Sequence, residues 1–232
     1  MVGERLSWPY DLIPTHPPYM TTQLVIFDCD GVLVDSETIG NEVLRDVIAE
    51  LGWELSLREV LQRFKGGSIV DIWRTVEARI GRPITDREHE EFRRRQYALF
   101  KNRLQPLAGV RETIARLNIP YCVASNGPHE KMQVTLATAG LLDAFAGRIF
   151  SRVDVPRPKP HPDLFLYAAA QMGVDPAHSL VVEDSPLGVT AALAAGMRAV
   201  GFCGTATADE TALRAAGSSV ILYTMQDLPQ LL

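Results

Sequence analysis

Three aspartates, Asp28, Asp30 and Asp35, stand close together in VIFDCDGVLVDSE, directly after the first apolar run of the sequence. Two like charges about 4 Å apart repel by roughly 4 kcal/mol at an effective dielectric constant of about 20. Packing alone therefore gives no reason for a buried strand to end with Asp28 and Asp30. Either the two carboxylates point apart or a positive charge lies between them, and the other residues that the fold brings to this strand end decide which.

The elements that position these acids are predicted from short apolar runs. Four such runs adjoin helical stretches, a pattern typical of strands buried on both faces of a parallel sheet. The runs are residues 23–28, 119–125, 179–184 and 197–202. The sequence therefore predicts an α/β fold with a Rossmann-like parallel sheet.

Two predicted helices begin directly after strands of this sheet. One begins with Ser185 as the N-cap and Pro186 at the first helical position, and Gly196 closes it. The other is predicted over residues 128–139 and ends at Gly140. Both N-termini then lie at the carboxyl edge of the sheet, where open α/β sheets bind ligands.

Polar side chains follow three of the predicted strands, and one more lies in a proline-rich loop before a helix at about residue 161. They are Asp28, Asp30, Ser125, Asn126, Glu183, Asp184 and, in RPKP, Lys159. Four converging carboxylates need a cation, and carboxylate oxygens without a His or Cys ligand favour Mg²⁺ over Zn²⁺. A metal, a lysine and a helix N-terminus together make a phosphate site. An aspartate beside that phosphate is able to attack phosphorus and form an aspartyl-phosphate.

A long segment after the first strand follows a different pattern, in which apolar residues recur at helical spacing without any strand-like run. We interpret it as an all-helical cap domain inserted into the core. The predicted ranges are 37–105 for the cap, and 22–36 with 106–232 for the core.

Two basic features stand out within the predicted cap. Lys65, beside the flexible Gly66 and Gly67, is the predicted contact between the cap and a substrate. The arginine run at residues 93–95 is interpreted as a solvated helix face.

The first 21 residues lack the apolar core of a signal peptide. We expect them to form a mobile N-terminal extension, and an alternative start at Met20 is left open.

Composition excludes several classes of protein. A formal net charge of -5 argues against a nucleic-acid binder, and no apolar run reaches the ~20 residues of a membrane helix. Cys29, Cys122 and Cys203 lie in or at the end of apolar runs, which predicts buried, reduced thiols in a cytoplasmic protein. Cys29 stands between two acids, which would raise its thiol pKa rather than activate it.

Four short motifs, DCDGVLVDSE, SNG, RPKP and VEDS, occur in an order and spacing that resemble the haloacid dehalogenase superfamily. The helical segment is similar to the cap of its phosphoglycolate-phosphatase and β-phosphoglucomutase branch. RFKG and SNGPHEKMQ resemble the bacterial sugar-phosphate phosphatases that hydrolyse 6-phosphogluconate.

The resemblance implies a role for each residue of the motifs. Asp28 would be the nucleophile, and Asp30 the general acid that protonates the leaving alcohol and then activates water. Asp35 is expected only to tie the loop down. The remaining residues fall into two groups: Ser125 and Lys159 hold the phosphoryl oxygens with Asn126 beside them, and Mg²⁺ is bound by Asp28, Asp184 and the Asp30 backbone carbonyl with Glu183 in support.

The predicted function is thus Mg²⁺-dependent hydrolysis of a small phosphorylated sugar or sugar acid, and the oligomeric state is left open. A β-phosphohexomutase is the alternative, although Gly40 stands where that branch has a cap histidine and Ile69 where it has an arginine. A dehalogenase would lack the second aspartate, which is present as Asp30. A non-enzymatic phospho-acceptor signalling domain needs only about half this length and no cap.

Overall fold

A six-stranded sheet forms the centre of the computed structural model, which describes residues 21–64 and 69–232. Its strands are β1 (Leu24–Phe27), β2 (Tyr121–Ser125), β3 (Ile149–Ser151), β4 (Ser179–Glu183), β5 (Arg198–Phe202) and β6 (Val220–Leu222). Their spatial order is β3-β2-β1-β4-β5-β6, and every neighbouring pair is parallel. The predicted α/β fold with a parallel sheet is therefore confirmed.

Side chains of the strands fill hydrophobic clusters on both faces of the sheet. In β1, Val25 and Phe27 belong to one cluster and Leu24 and Ile26 to the other. All four side chains are fully buried. Because successive side chains of a strand point to opposite faces, a sheet that is covered on both faces requires continuous apolar runs such as LVIF.

The chain between β1 and β2 first forms four α-helices, and its described residues from 36 to 103 contain no strand. The helices are α1 (Ser36–Glu50), α2 (Leu57–Phe64), α3 (Ile69–Ile80) and α4 (Asp86–Arg103). They enclose a hydrophobic cluster of their own, which includes Trp53, Trp73 and Phe92. The segment is helical as expected, and its limits as a cap domain stay a prediction.

The chain enters and leaves this helical segment at adjacent points. Val34 forms an antiparallel bridge with Pro106, and the Leu107 backbone N–H donates to the Leu33 carbonyl at 2.9 Å. The two connections to the core therefore lie side by side.

Five further α-helices belong to the sheet region. They are α5 (Val110–Arg116), α6 (His129–Thr138), α7 (Asp163–Met172), α8 (Pro186–Ala194) and α9 (Glu210–Ala215). Ser185 caps α8 by accepting a hydrogen bond from the Gly188 backbone N–H at 3.1 Å, as predicted. Within residues 21–64 and 69–232, no helix has the length and apolarity needed to cross a membrane.

The edge strands and one cysteine differ from the sequence-based expectations. The edge strands β3 and β6 were not predicted because each has only three residues. Cys29 and Cys122 are buried free thiols, but Cys203 is only half-buried, because it lies just after β5 where the chain leaves the sheet. Residues 1–20 of the predicted extension lie outside the described residues.

Candidate active site

Asp28 and Asp30 follow β1 at the carboxyl edge of the sheet, where Gly31 turns the chain. Gly31 has a φ of +78°, a conformation that residues with a side chain rarely adopt. A Cβ atom at this position would lie 1.8 Å from Asp184 Oδ2. Gly31 therefore makes the turn and also leaves space for the Asp184 carboxylate. Asp184 directly follows β4, the strand next to β1.

Lys159 supplies the positive charge between two of the acids. Its Nζ donates to Asp28 Oδ1 at 2.7 Å, to Glu183 Oε1 at 2.6 Å and to the Ala124 carbonyl at 2.8 Å. Lys159, Asp28 and Glu183 are all buried. Burial opposes the charge of the amine, but Asp28 and Glu183 outweigh it and hold the pKa of Lys159 above its usual range.

Asn126 and Ser125 lie beside this lysine at the end of β2. Asn126 Nδ2 donates to the Lys159 carbonyl, and the Lys159 backbone N–H donates to Asn126 Oδ1, both at 3.1 Å. Asn126 therefore holds the backbone that carries Lys159, and its place beside the phosphate stays a prediction. Ser125 Oγ is buried and accepts a hydrogen bond from the Gly127 N–H at 3.2 Å, which leaves its own proton free to donate.

Asp30 has a separate set of partners. Lys131 Nζ donates to Asp30 Oδ2 at 2.7 Å, and the Ser36 hydroxyl donates to Oδ1. Burial opposes ionisation of Asp30, but the charge and hydrogen bond of Lys131, together with Ser36, outweigh it. The pKa of Asp30 consequently lies below its usual range.

The carboxyls of Asp28 and Asp184 show the opposite shift. Burial raises the pKa of Asp28 to about 7, with Lys159 opposing the rise and the charge of Glu183 adding to it. Burial, then the charges of Glu183 and Asp28, raise the pKa of Asp184 well above its usual range. In the described part of the chain, no basic side chain pairs with Asp184. Asp28 and Asp184 therefore hold their protons more firmly than ordinary carboxyls unless a cation takes the place of those protons.

These donor atoms fit a hard divalent cation. Two carboxylates that repel each other, Asp28 and Asp184, and the Asp30 backbone carbonyl offer oxygen ligands only, as Mg²⁺ prefers. Glu183 supports the set, because its Oε1 binds Lys159 and its Oε2 accepts from the Ser185 N–H at 3.1 Å and hydroxyl at 2.8 Å. No group of three or more His, Cys, Asp or Glu residues able to hold a metal ion occurs in residues 21–64 and 69–232. The four acids considered in the sequence analysis therefore do not form a single metal-binding cluster there, and the ligand set implied by the resemblance stays a prediction.

The family of the chain is shown by comparison with known proteins. A model described as haloacid dehalogenase-like hydrolase matches residues 22–196. The chain belongs to this family. The predictions of the haloacid dehalogenase superfamily and of an enzyme of the hydrolase class are therefore confirmed.

Individual relatives of this haloacid dehalogenase-like hydrolase align along most of its length. It is 36% identical over 182 residues to the 6-phosphogluconate phosphatase of Escherichia coli strain K12, covering 78% of this chain and 82% of the relative. It is 34% identical over 181 residues to hexitol phosphatase B of the same strain, covering 75% and 81%. A solved haloacid dehalogenase-like protein from Agrobacterium tumefaciens strain C58 has a TM-score of 0.80 and 36% identity, covering 90% of this chain and 97% of that chain.

One residue of this hydrolase site, Lys131, was missed from the sequence. Its position in the first turn of α6, a helix that begins at the ligand-binding edge, was the available signal. Its partner Asp30 lies 101 residues away in the chain, so the pairing depends on how α6 packs. The predicted cap contact Lys65 lies outside the described residues.

Asp35 has the structural role expected of it. Its Oδ1 accepts a hydrogen bond from the Thr38 backbone N–H at 3.3 Å and so caps α1. The Thr38 hydroxyl also donates to this carboxylate, at 3.1 Å to Oδ2. The third aspartate of the opening motif thus holds the start of α1 rather than the reacting groups.

Proposed function

We propose that this hydrolase is a Mg²⁺-dependent phosphatase that acts on a small phosphorylated sugar or sugar acid, such as 6-phosphogluconate, through an aspartyl-phosphate on Asp28. The observation that carries the proposal is that two neighbouring acids, Asp28 and Asp30, have different ion-pair and hydrogen-bond partners. Asp28 is bound by Lys159 beside an uncompensated acid, whereas Asp30 is bound by Lys131 and Ser36. Such separation of environments is how two carboxyls acquire different roles in one reaction.

Asp28 is the proposed nucleophile. Its Oδ1 binds Lys159, so its second oxygen, Oδ2, is the atom assigned to attack phosphorus. Lys159 lies where its charge would also reach the oxygens of an incoming phosphoryl group, with the buried Ser125 hydroxyl as a second donor. Fixed cations and donors around a transferring phosphoryl group supply most of the catalysis in this reaction class.

Asp30 is the proposed general acid and base. The carboxyl is ionised in the protein alone, so we propose that it takes up a proton when the negatively charged phosphate binds beside it, since a nearby like charge raises a carboxyl pKa. It would then donate this proton to the oxygen of the leaving sugar, and later accept one from the water that cleaves the aspartyl-phosphate. Lys131 and Ser36 each hold one of its oxygens, which fixes the direction of the carboxyl. Both proton transfers then occur at a group of defined position.

A bound Mg²⁺ would neutralise part of the charge on the phosphoryl group. Asp28, Asp184 and the Asp30 backbone carbonyl are the proposed ligands, with Glu183 supporting them through Lys159 and Ser185. Mg²⁺ held by Asp28 and Asp184 would relieve the repulsion that adds to the effect of burial on the pKa of both groups.

The relatives support this choice of substrate class, because their names refer to 6-phosphogluconate and to hexitol phosphates. The helical segment argues against the mutase alternative. A Cβ at Gly40, where mutases have a histidine, would lie 3.0 Å from Gln96 Nε2, so a larger side chain would have to displace Gln96.

A phosphate-release screen tests the proposal. The purified protein is incubated with 6-phosphogluconate, glucitol 6-phosphate and glucose 1-phosphate, each with Mg²⁺ and with EDTA. We expect inorganic phosphate from the six-carbon 6-phosphates with Mg²⁺ and none with EDTA. Conversion of glucose 1-phosphate to its 6-phosphate without free phosphate would instead establish the mutase, and release that persists in EDTA would exclude the metal-dependent mechanism.

A further inference from the structure

The three consecutive arginines of α4 differ in their partners. Arg94 pairs with Glu91 at 2.7 Å, and Arg95 pairs with Glu91 and with Glu50, each at 2.6 Å. Arg93 is exposed and forms no hydrogen bond or ion pair with any residue of the described chain. The interpretation of the run as a solvated face therefore leaves Arg93 with an unneutralised charge.

Tyr97 links Arg93 to the catalytic acids. It lies one turn further along α4, on the same side of the helix, and it is half-buried. Burial raises the pKa of its hydroxyl, Glu130 and Asp30 raise it further, and Lys131 and Arg93 lower it. Arg93, Tyr97 and Glu130 line the same groove.

An open groove of about 1060 Å³ is lined by side chains of α4 together with Glu130 of α6. Arg93, Tyr97 and Lys101 contribute to its lining. Five basic side chains line the groove against three acidic ones, whereas the chain as a whole carries a net charge of -5, so the groove is locally suited to an anion. Glu130 directly precedes Lys131, which binds Asp30.

We propose that Arg93, with the Tyr97 hydroxyl as a neighbouring donor, determines specificity by binding a second acidic group of the substrate. This inference rests on the proposed function, which anchors the phosphoryl group at Asp28. A guanidinium binds a carboxylate through two parallel hydrogen bonds. The favoured substrates are then phosphorylated sugar acids, whose carboxylate lies at the end of the sugar far from the phosphate, rather than phosphates of neutral sugars or hexitols.

The test uses two substrates that differ only in the group that Arg93 would contact. 6-Phosphogluconate has a carboxylate at C1, and glucitol 6-phosphate has a hydroxymethyl group there. The ratio of their kcat/KM values is measured for the wild-type protein, Arg93→Gln, Arg93→Lys and the matched control Arg94→Gln. We expect Arg93→Gln to lower this ratio about 30-fold, mainly through KM, which is about 2 kcal/mol at 1.4 kcal/mol per tenfold.

The variants separate a specificity role from a general structural one. Arg93→Lys should restore part of the ratio, Arg94→Gln should leave it unchanged, and Glu130→Gln should raise it by removing a repulsive charge from the groove. An unchanged ratio in Arg93→Gln, or an equal loss on both substrates, would overturn the inference.

A binding measurement distinguishes failure of this inference from failure of the proposed function. Calorimetric affinity for 6-phosphogluconate is measured with Mg²⁺ in Asp28→Asn and in Asp28→Asn combined with Arg93→Gln. Weaker binding in the double variant supports the subsite even if the wild-type protein releases no phosphate. Equal binding in both overturns the subsite, whatever the screen for activity shows.

Discussion

Acid–base pairs occur in two regions of this hydrolase, at the carboxyl edge of the sheet and along α4, and the same types of side chain behave differently in the two. At the sheet edge, the side chains of Lys159, Asp28 and Glu183 are 3%, 10% and 1% exposed. In the pairs that α4 makes, Arg94 is 69% exposed and Glu50 57%. Burial, rather than the number of contacts, separates the two regions.

The difference decides what each set of charges contributes. Exposed pairs are screened by water and typically contribute about 0.2–1 kcal/mol. A buried charge that loses its partner costs about 3–5 kcal/mol, so the charges at the sheet edge hold one another in place. The sheet edge is therefore suited to chemistry that needs fixed charges, and α4 to a surface that can be altered at little cost.

The largest effect is expected from Asp28→Asn. We expect a loss of about 10⁴-fold or more in kcat, because removal of a nucleophile leaves only binding and the fixed charges. Phosphate release at saturating substrate measures it, with circular dichroism as the check on folding. Asp35→Asn is the matched control, since asparagine also caps helices well, and it should retain turnover. Near-normal turnover in Asp28→Asn would contradict the assignment of Asp28, at the sheet edge, as the nucleophile.

Asp30→Asn should cost less, about 10²–10⁴-fold in kcat, which is the usual contribution of a general acid or base. Mg²⁺ affinity should be retained, because only the backbone carbonyl of residue 30 is a proposed ligand. Turnover and calorimetric Mg²⁺ binding are measured on the same sample. A loss of metal affinity that matches the loss of turnover would contradict the division of roles between Asp28 and Asp30.

In the protein without metal, pH is expected to have a smaller effect, on the free energy of unfolding and on the affinity for Mg²⁺. The pKa of Asp28 is raised to about 7 in the folded state, above its ordinary value of 3.8. The folded state thus holds more protons between these values, and this group's contribution to the free energy of unfolding falls as pH rises through that range. Mg²⁺ must displace this proton, so Asp28 alone should make the Mg²⁺ affinity rise about tenfold per pH unit up to about pH 7. Asp184, whose pKa is raised as well, should add to this dependence.

Calorimetric titration with Mg²⁺ from pH 5.5 to 8, in buffers of different ionisation enthalpy, measures both the affinity and the protons released. Asp28→Asn should release fewer protons, because only the proton of Asp184 remains to be displaced. An affinity that is independent of pH below 7 would show that the buried edge does not hold the proton.

The smallest effect is expected on α4. Glu50→Gln removes one partner of Arg95 and should lower the free energy of unfolding by about 0.2–1 kcal/mol, with turnover unchanged. Urea denaturation measures the loss, and Glu54→Gln, an exposed acid on the same segment, serves as the reference. A loss above about 3 kcal/mol would make the exposed pairs equivalent to the buried ones and end the contrast between the regions.

The sequence predicts which residues come together at the site better than it predicts the hydrogen bonds between them. Asp28, Asp184 and Lys159 are predictable because each follows an apolar strand or lies in a stiff proline-rich loop, so the topology alone brings them to one edge. The contact of Asn126 with the Lys159 backbone is not predictable in this way. It depends on the distance between two loops, which has no signature in a residue pattern.

The same limit applies to Arg93 and to the edge strands. The pairs of Arg94 and Arg95 with Glu91 follow from helical spacing. The same spacing would also pair Arg93 with Glu90, and only the structure shows that this pair is not formed and that Glu50 is a second partner of Arg95. The strand β6 is short, and two of its three residues are only half-buried, so it lacks the continuous apolar signal of the central strands.

The bridge between Val34 and Pro106 makes the helical segment exchangeable. Because both crossings lie side by side and the helices have their own hydrophobic cluster, another set of helices could be grafted at the same junction without rethreading the sheet, if it also replaced the contacts of Ile39 and Phe100 with the cluster of the sheet. Substrate preference would then be inherited with the graft, while the reacting groups stayed with the recipient. A lineage with this architecture can diversify the molecules it acts on by recombination at two neighbouring points of one chain.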